Sequence, residues 1–438
     1  MLPQIVPNIR GNTAKMHKQE ILISEKDREI LRGLAEEAAN IGDLPIQSKR
    51  KKMWSDLNSL RETKPMIWID EVCWNEMDIE RGLRLRTKSD FCQNIEKQLR
   101  QILYQWKNFQ CDMVVDPVLY SPLCIDNSGI GIEIQENIIK ADKYNEVVSH
   151  QYEQQIHHED DIEKIRFPDI SHDESTSEEQ YQAYKYIFDG VIQVEKRGLP
   201  GFWFAPWDDI VRFVGAQEAL LALIAKPRFI HKLVSRLVEV YLHCLVQYEK
   251  LNLLSLNNTN VRVGSGACGF TRELPQSDFD PLHVRALDIW GCAAAQIFSS
   301  VSPAMHEEFA LQYERRWLER FGLSYYGCCE PLHEKIDLLR NIPNLRKVSV
   351  SPWADIERAA EALSGNYVLS LKPNPSILAK DRFRPEEARN ELKQKLQTAR
   401  RYGCRVEIVL KDISTVGHEP SRLSEWSEIA GELAQQIV

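Results

Sequence analysis

FGLSYYGCCEPLHEKIDLLRNIPNLRKVSVSPWADIERAAEALSGNYVLSL, residues 321–371, passes repeatedly between short apolar runs and amphipathic stretches. Residues 323–327, 346–350 and 367–371 are short and rich in Val, Leu, Ser and Tyr, which predicts strands. Between them, Leu332, Ile336 and Leu339, then Ile356, Ala359, Ala360 and Leu363, recur at spacings of three and four, which predicts helices over 332–340 and 354–363. The same rhythm continues outward. A helix over 303–321 is opened by Ser302 as N-cap with Pro303 at its first position. On the other side, a helix over 385–402 leads to a strand at 405–410 and a last helix over 421–436. Strands joined through helices run parallel, because a tight turn cannot return the chain in the same direction.

Upstream, 66–70 after Pro65 reads as a strand, followed by a helix over 89–109 with Ser89 as its cap. Further strands are expected at 112–116, at 202–205 between Gly201 and Pro206, and within 251–263. The total is about eight, the number that closes a (β/α)8 barrel. The fold class expected is therefore α/β, a TIM barrel spanning 63–438, preceded by an N-terminal helical extension at 1–62 and interrupted by a polar surface insertion at 133–180. Within the insertion, His157-His158-Glu159-Asp160-Asp161 reads as a solvated charged loop rather than a metal site. Gly264-Ser265-Gly266-Ala267-Cys268-Gly269 has the spacing of a dinucleotide loop. The residues after it, Phe270 to Pro275, make a poor helix, so a tight turn is expected instead.

A composition of 43% hydrophobic and 27% charged residues is that of a globular chain able to bury a large core. Net charge is −9, and the one basic run, Lys49-Arg50-Lys51-Lys52, is too small for a nucleic-acid footprint. No run reaches the roughly 18 apolar residues of a membrane span. Met1 to Glu20 carries no apolar secretory core, so a cytoplasmic location is expected. The ten cysteines are scattered, which fits buried hydrophobes, nucleophiles or metal ligands in a reducing compartment better than a disulfide framework.

In a barrel the chemistry lies at the carboxyl ends of the strands. Those ends carry Asp70, Glu71, Asp116, Cys328-Cys329-Glu330, Ser351, Lys372 and Lys411-Asp412, with Cys268 in the glycine-rich turn. Asp70, Glu330, Lys372, Lys411 and Asp412 are the candidate catalytic residues. Lys372, Lys411 and Asp412 fix an anionic substrate or pair with one another. Thiolates are good zinc ligands, and Glu330, His333 and Cys268 are available to complete a three-ligand site beside Cys328 or Cys329. The same residues also read as two buried cysteines beside a carboxylate at a helix start. Adjacent strand residues point to opposite faces, so only one thiol of the pair is expected in the mouth unless the turn at Pro331 re-aims them.

Trp290-Gly291 with Gln296, the segment from Ser302-Pro303 to Phe309, Tyr326-Gly327-Cys328-Cys329-Glu330 and Lys411-Asp412 resemble segments of the uroporphyrinogen decarboxylase-like superfamily, over residues 202–436. The resemblance implies a TIM barrel and either decarboxylation or methyl transfer with a cobalamin partner protein, in some members through a zinc-activated thiol. The decarboxylases' Arg-Gln-Ala-Gly-Arg-Tyr segment has no counterpart between Ile67 and Arg86. The zinc methyltransferases' strand-end His-x-Cys aligns with Tyr326-Gly327-Cys328, with Tyr326 at the histidine position, and their later cysteine falls near Lys411. The methyltransferase branch is thus the better likeness. It implies that any zinc takes ligands from Cys328, Cys329, Glu330, Cys268 and His306, and that a corrinoid sits on a separate protein, since no D-x-H-x-x-G motif is present.

The function expected is methyl transfer between a small-molecule substrate and a corrinoid protein. A metal-independent decarboxylase or lyase acting on a polycarboxylate, and a non-catalytic small-molecule-binding barrel, are the alternatives. Neither nucleic acid nor membrane is expected as a partner.

Overall fold

The computed structural model of the chain describes residues 21–78, 81–139 and 149–437. Its centre is a six-stranded, wholly parallel sheet. The strands are β1 (Met66–Ile69), β2 (Trp290–Ala293), β3 (Leu323–Tyr326), β4 (Leu345–Val350), β5 (Val368–Leu371) and β6 (Arg405–Leu410). They lie in the order β1-β6-β5-β4-β3-β2, so the first strand stands beside the last. Helices Ile356–Leu363 and Pro385–Arg401 make the crossovers between β4 and β5 and between β5 and β6. The link from β2 to β3 is a helix broken by a π-turn at Glu307–Leu311, and Ser302 caps its start through the Met305 N–H.

The ladder does not close into eight strands. Residues 112–116 and 202–205, expected as strands, form none, and the stretch 251–263 contributes only isolated bridges. They are tied in by individual bonds: Ala294 N–H, just beyond β2, donates to the Phe204 carbonyl at 3.2 Å, and Asn260 Nδ2 donates to the Val114 carbonyl at 2.8 Å. Single bonds from side chains and loops have replaced a regular register here. β2 takes a place in the sheet that apolar patterning does not mark. Its Trp-Gly-Cys-Ala sequence is compact because the Phe321 ring lies against Gly291, where a Cβ would come within 2.4 Å of it.

The glycine-rich turn is an interior hairpin. Arg262 pairs antiparallel with Cys268, and Val263 N–H donates to the Ala267 carbonyl at 3.0 Å. A Cβ on Gly266 would stand 2.5 Å from the Tyr325 ring and 2.7 Å from Glu407 Oε1, so only glycine lets the hairpin enter between them. Helix Pro45–Asn58 plugs the amino end of the sheet. Trp54 Nε1 donates to the Asp112 carbonyl at 3.0 Å, and Asn58 Nδ2 donates to the carbonyls of Cys268 and Phe270 at 3.1 and 2.8 Å. Helix Glu25–Gly42 packs instead on Asp90–Phe109 and Glu174–Phe188 through Leu31, Phe91, Leu99 and Ile187.

The polar region around 118–197 forms three small strand pairs: Val118–Pro122 with Gln193–Arg197, Ile125–Asn127 with Ile170–His172, and Glu136–Ile139 with Ser149–Tyr152. The His157 and His158 N–H groups both donate to Asp161 Oδ2, at 2.8 and 3.0 Å, closing the start of a short helix as a charged loop would. Residues 1–20 of the expected extension and 140–148 of the expected insertion lie outside the described residues. Among the described residues, no helix is long and apolar enough to cross a membrane.

Candidate active site at the strand ends

The carboxyl ends of β1, β3 and β6 and the arm of the hairpin bring charged side chains together. Beyond β1, Asp70 and Glu71 face Arg262, whose Nη1 lies 3.2 Å from Asp70 Oδ2 and 2.6 Å from Glu71 Oε1. Beyond β6, Lys411 pairs with Asp412 and lies 3.7 Å from Glu71 Oε2. Asp412 N–H donates to that same Glu71 oxygen at 3.2 Å. Glu71 and Asp412 both have left-handed backbones, φ 49° and 57°, which turn the chain sharply off each strand and aim it across the mouth.

Burial alone would raise the Glu71 carboxyl, but the charges of Arg262 and Lys411, with hydrogen bonds from Arg262 and Asp412, draw it down to about 2. Burial would lower the Arg262 and Lys411 cations; Asp70 and Glu71 hold Arg262 above its ordinary value, and Cys328, Glu71 and Asp412 do the same for Lys411. Burial raises Asp412, only partly offset by Lys411. The result is a cluster of opposed charges in which burial makes the Asp412 carboxyl a better proton acceptor than an ordinary aspartate.

At the end of β3 the strand stops at Tyr326, and Gly327 adopts φ 95°. That turn re-aims the residues after it, so both thiols lie side by side, with Cys328 Sγ and Cys329 Sγ 3.5 Å apart and Cys329 Sγ 4.0 Å from Asp412 Oδ2. The alternation of a regular strand does not reach this pair. Their contact pushes the Cys328 thiol up and the Cys329 thiol down, while burial raises both and Lys411 lowers both. Glu330 is fully buried and accepts from the Cys328 N–H at 2.9 Å and the Ala295 N–H at 3.3 Å. It holds the turn rather than facing the mouth.

Beneath the mouth lies a buried polar layer. Lys372 Nζ donates to Tyr325 Oη at 2.8 Å and Ser370 Oγ at 2.7 Å, and burial lowers its ammonium to about 7 despite the nearby Glu407. Cys328, Lys411 and Arg262 are close enough to act on it electrostatically. Deeper still, Lys347 Nζ meets Glu407 Oε2 at 2.8 Å with both side chains fully buried. Ser370 Oγ and the Ala267 N–H donate to the other Glu407 oxygen, at 2.7 and 3.2 Å.

The five metal-ligand candidates fall in three places. Cys268 is buried at the amino end of the sheet among Trp54, Trp68, Val368 and Val409, because the hairpin folds back and carries it away from the mouth. His306 lies behind β3, where its Nε2 meets Tyr326 Oη at 2.7 Å. Only Cys328 and Cys329 stand at the mouth, and both Glu330 oxygens are occupied by backbone donors. Among the described residues, no three His, Cys, Asp or Glu side chains form a group suited to a metal. The residues expected to bind zinc therefore do not fit it as one set.

Tyr326, at the position of the implied histidine, belongs to the helix-facing side. Its hydroxyl donates to Glu314 Oε2 at 2.6 Å and leaves its oxygen to His306. Burial lowers His306 to about 3 and raises Glu314 to about 8 from an ordinary 4.5. The native state thus keeps a proton on Glu314 that the unfolded chain releases between pH 4.5 and 8, so this carboxyl's contribution to stability falls as pH rises through that window. Glu314→Gln should flatten the decline. Urea denaturation at pH 5 and pH 8 should show wild type losing stability relative to the variant at the higher pH, whereas parallel losses would rule out a protonated Glu314.

Arg262 was not among the expected site residues, nor was the Lys347–Glu407 pair. Arg262 precedes the glycine-rich turn and has no periodic signal. Lys347 and Glu407 carried one, being charged residues in the middle of strands whose neighbours are apolar.

No protein-family model matches the chain, and no curated protein matches it. Among solved structures, the chain is similar to a methyltransferase from Methanosarcina mazei, with 9% sequence identity, coverage of 88% of this chain and 98% of that one, and a TM-score of 0.47.

Proposed function

We propose that this chain is a methyltransferase of the uroporphyrinogen decarboxylase-like superfamily, built on a TIM barrel, that moves a methyl group between a small anionic molecule and a separate corrinoid protein. The barrel reading is supported by β1 lying beside the last strand, and by the hydrogen bonds that tie Asp112 to Ile67 of β1 and Phe204 to Ala294 just beyond β2. The ten free cysteines support a reducing compartment such as the cytoplasm.

The observation that carries the functional reading is the convergence of Arg262, Glu71, Lys411 and Asp412 on one face from three separate elements. A substrate anion entering between Arg262 and Lys411 displaces Asp412 from the lysine. The freed carboxylate then takes the proton of the substrate's methyl-accepting group as general base. Asp70 holds Arg262 in place, and Lys372 lies below the pair, its ammonium brought down by burial to about 7. A corrinoid on its own protein would supply the methyl group. No step here uses zinc.

A second reading, a metal-independent decarboxylase or lyase for a polycarboxylate, is favoured by the presence of two cations, Arg262 and Lys411, on the same face, with Lys372 beneath them. The two separate in one experiment. Methylcobalamin is mixed with the protein and a small anionic thiol, mercaptoacetate or mercaptopropionate, while carbon dioxide release from small polycarboxylates is followed in parallel. Demethylation of the cobalamin supports methyl transfer. Carbon dioxide release without demethylation overturns it in favour of the lyase, and silence in both assays overturns both.

A further inference from the structure

Cys328 and Cys329 take no part in the acid–base scheme, yet they form a chemical unit. Their sulfurs are 3.5 Å apart, and the Cys328 side is clamped from two directions. The Cys328 N–H donates to Glu330 Oε2, and its carbonyl accepts from Ser349 Oγ at 2.7 Å. Cys328 is only 4% exposed, whereas Cys329 is partly exposed and faces the mouth near Asp412. One sulfur can thus meet a solute while the other waits behind it. The left-handed turn at Gly327 creates this arrangement, since neighbours on a regular strand would point apart.

We propose that Cys328 and Cys329 are a redox modification site, at which a hydroperoxide converts the two thiols to a vicinal disulfide. The Cys329 sulfur attacks the peroxide's terminal oxygen and the O–O bond breaks. The leaving oxygen departs protonated, as water or an alcohol, and Cys329 becomes a sulfenic acid. The Cys328 sulfur then attacks the Cys329 sulfur, an S–S bond forms, the S–O bond breaks, and the hydroxyl leaves as water with the Cys328 proton. The two thiols lose two electrons and two hydrogens, which the peroxide takes up.

Adjacent Cα atoms are about 3.8 Å apart across a trans peptide, closer than the roughly 4.4–6.8 Å usual for a disulfide. The product is therefore strained and readily reduced by a dithiol, as a reversible modification requires. The inference does not depend on the methyl-transfer reading, because its readout is covalent.

The test uses the full chain treated with hydrogen peroxide, then alkylated and mapped by peptide mass spectrometry. The peptide spanning Cys328 and Cys329 should escape alkylation, appear lighter by about 2 Da for the two lost hydrogens, and recover both alkylation sites after dithiothreitol. In Cys328→Ser the reaction should stop at the sulfenic acid, which dimedone traps on Cys329. Full alkylation of both residues in peroxide-treated wild type would overturn the proposal, as would a disulfide from either one to a different cysteine. The wild-type peptide map decides the matter alone if the variant does not fold.

Discussion

Lys347→Met should lower the free energy of unfolding by about 3–5 kcal/mol, the cost of leaving one partner of a buried ion pair alone. Lys347 and Glu407 are both fully buried and meet at 2.8 Å. Burial pushes the Glu407 carboxyl up, and Lys347 and Lys372 overcome that push to hold it below its ordinary value. Without Lys347 the carboxyl must rise, so the variant's deficit should widen as pH increases above the ordinary carboxylate range. The ammonium also donates to the Cys268 carbonyl at 3.1 Å, so the substitution loosens the hairpin as well. Lys347→Met combined with Glu407→Gln should recover part of the loss, because glutamine can still accept from Ser370 and the Ala267 N–H while carrying no charge. Urea midpoints for the two variants check this. An unchanged midpoint in Lys347→Met would show that the pair contributes nothing.

Under the proposed methyl transfer, Asp412→Asn should lower kcat by about 10²–10⁴-fold, the contribution typical of a positioned general base. Asparagine is the right replacement here, since it tolerates the φ of 57° at this position about as well as aspartate does. Lys411→Met should act differently, raising KM for the anionic substrate more than it lowers kcat, because its charge binds ground state and transition state alike. Steady-state kinetics on both variants, alongside thermal denaturation, separate these effects from misfolding. An Asp412→Asn enzyme with undiminished kcat would remove the residue from the mechanism.

The carboxyl-terminal third of the chain was legible in the sequence because its strands alternate with helices of regular period. Ser302, Ser89 and the strand 405–410 stand where the sequence predicts them. β2 was not legible as a strand, since Gly291 answers to the space left beside Phe321 rather than to strand propensity. The count of eight strands exceeded the ladder because the segments at 112–116, 202–205 and 251–263 form no register, while the unpredicted β2 joins it.

The site was half legible. Asp70, Lys372, Lys411 and Asp412 could be found by looking just past each strand, because topology alone places those positions at one end of a parallel sheet. Cys268 and His306 could not be placed that way. A hairpin that reverses direction and a helix that tucks behind β3 decide where they end up, and neither leaves a periodic trace. The direction of the two thiols depended on a single backbone angle at Gly327.

A single-turnover experiment with methylcobalamin carrying a deuterated methyl group tests the proposed chemistry most directly. With mercaptoacetate as acceptor, the wild-type protein should yield the labelled thioether, and a folded Lys411→Met/Asp412→Asn variant should yield almost none. Equal labelling by wild type and variant, or none by either, would contradict the assignment of methyl transfer to the strand-end cluster.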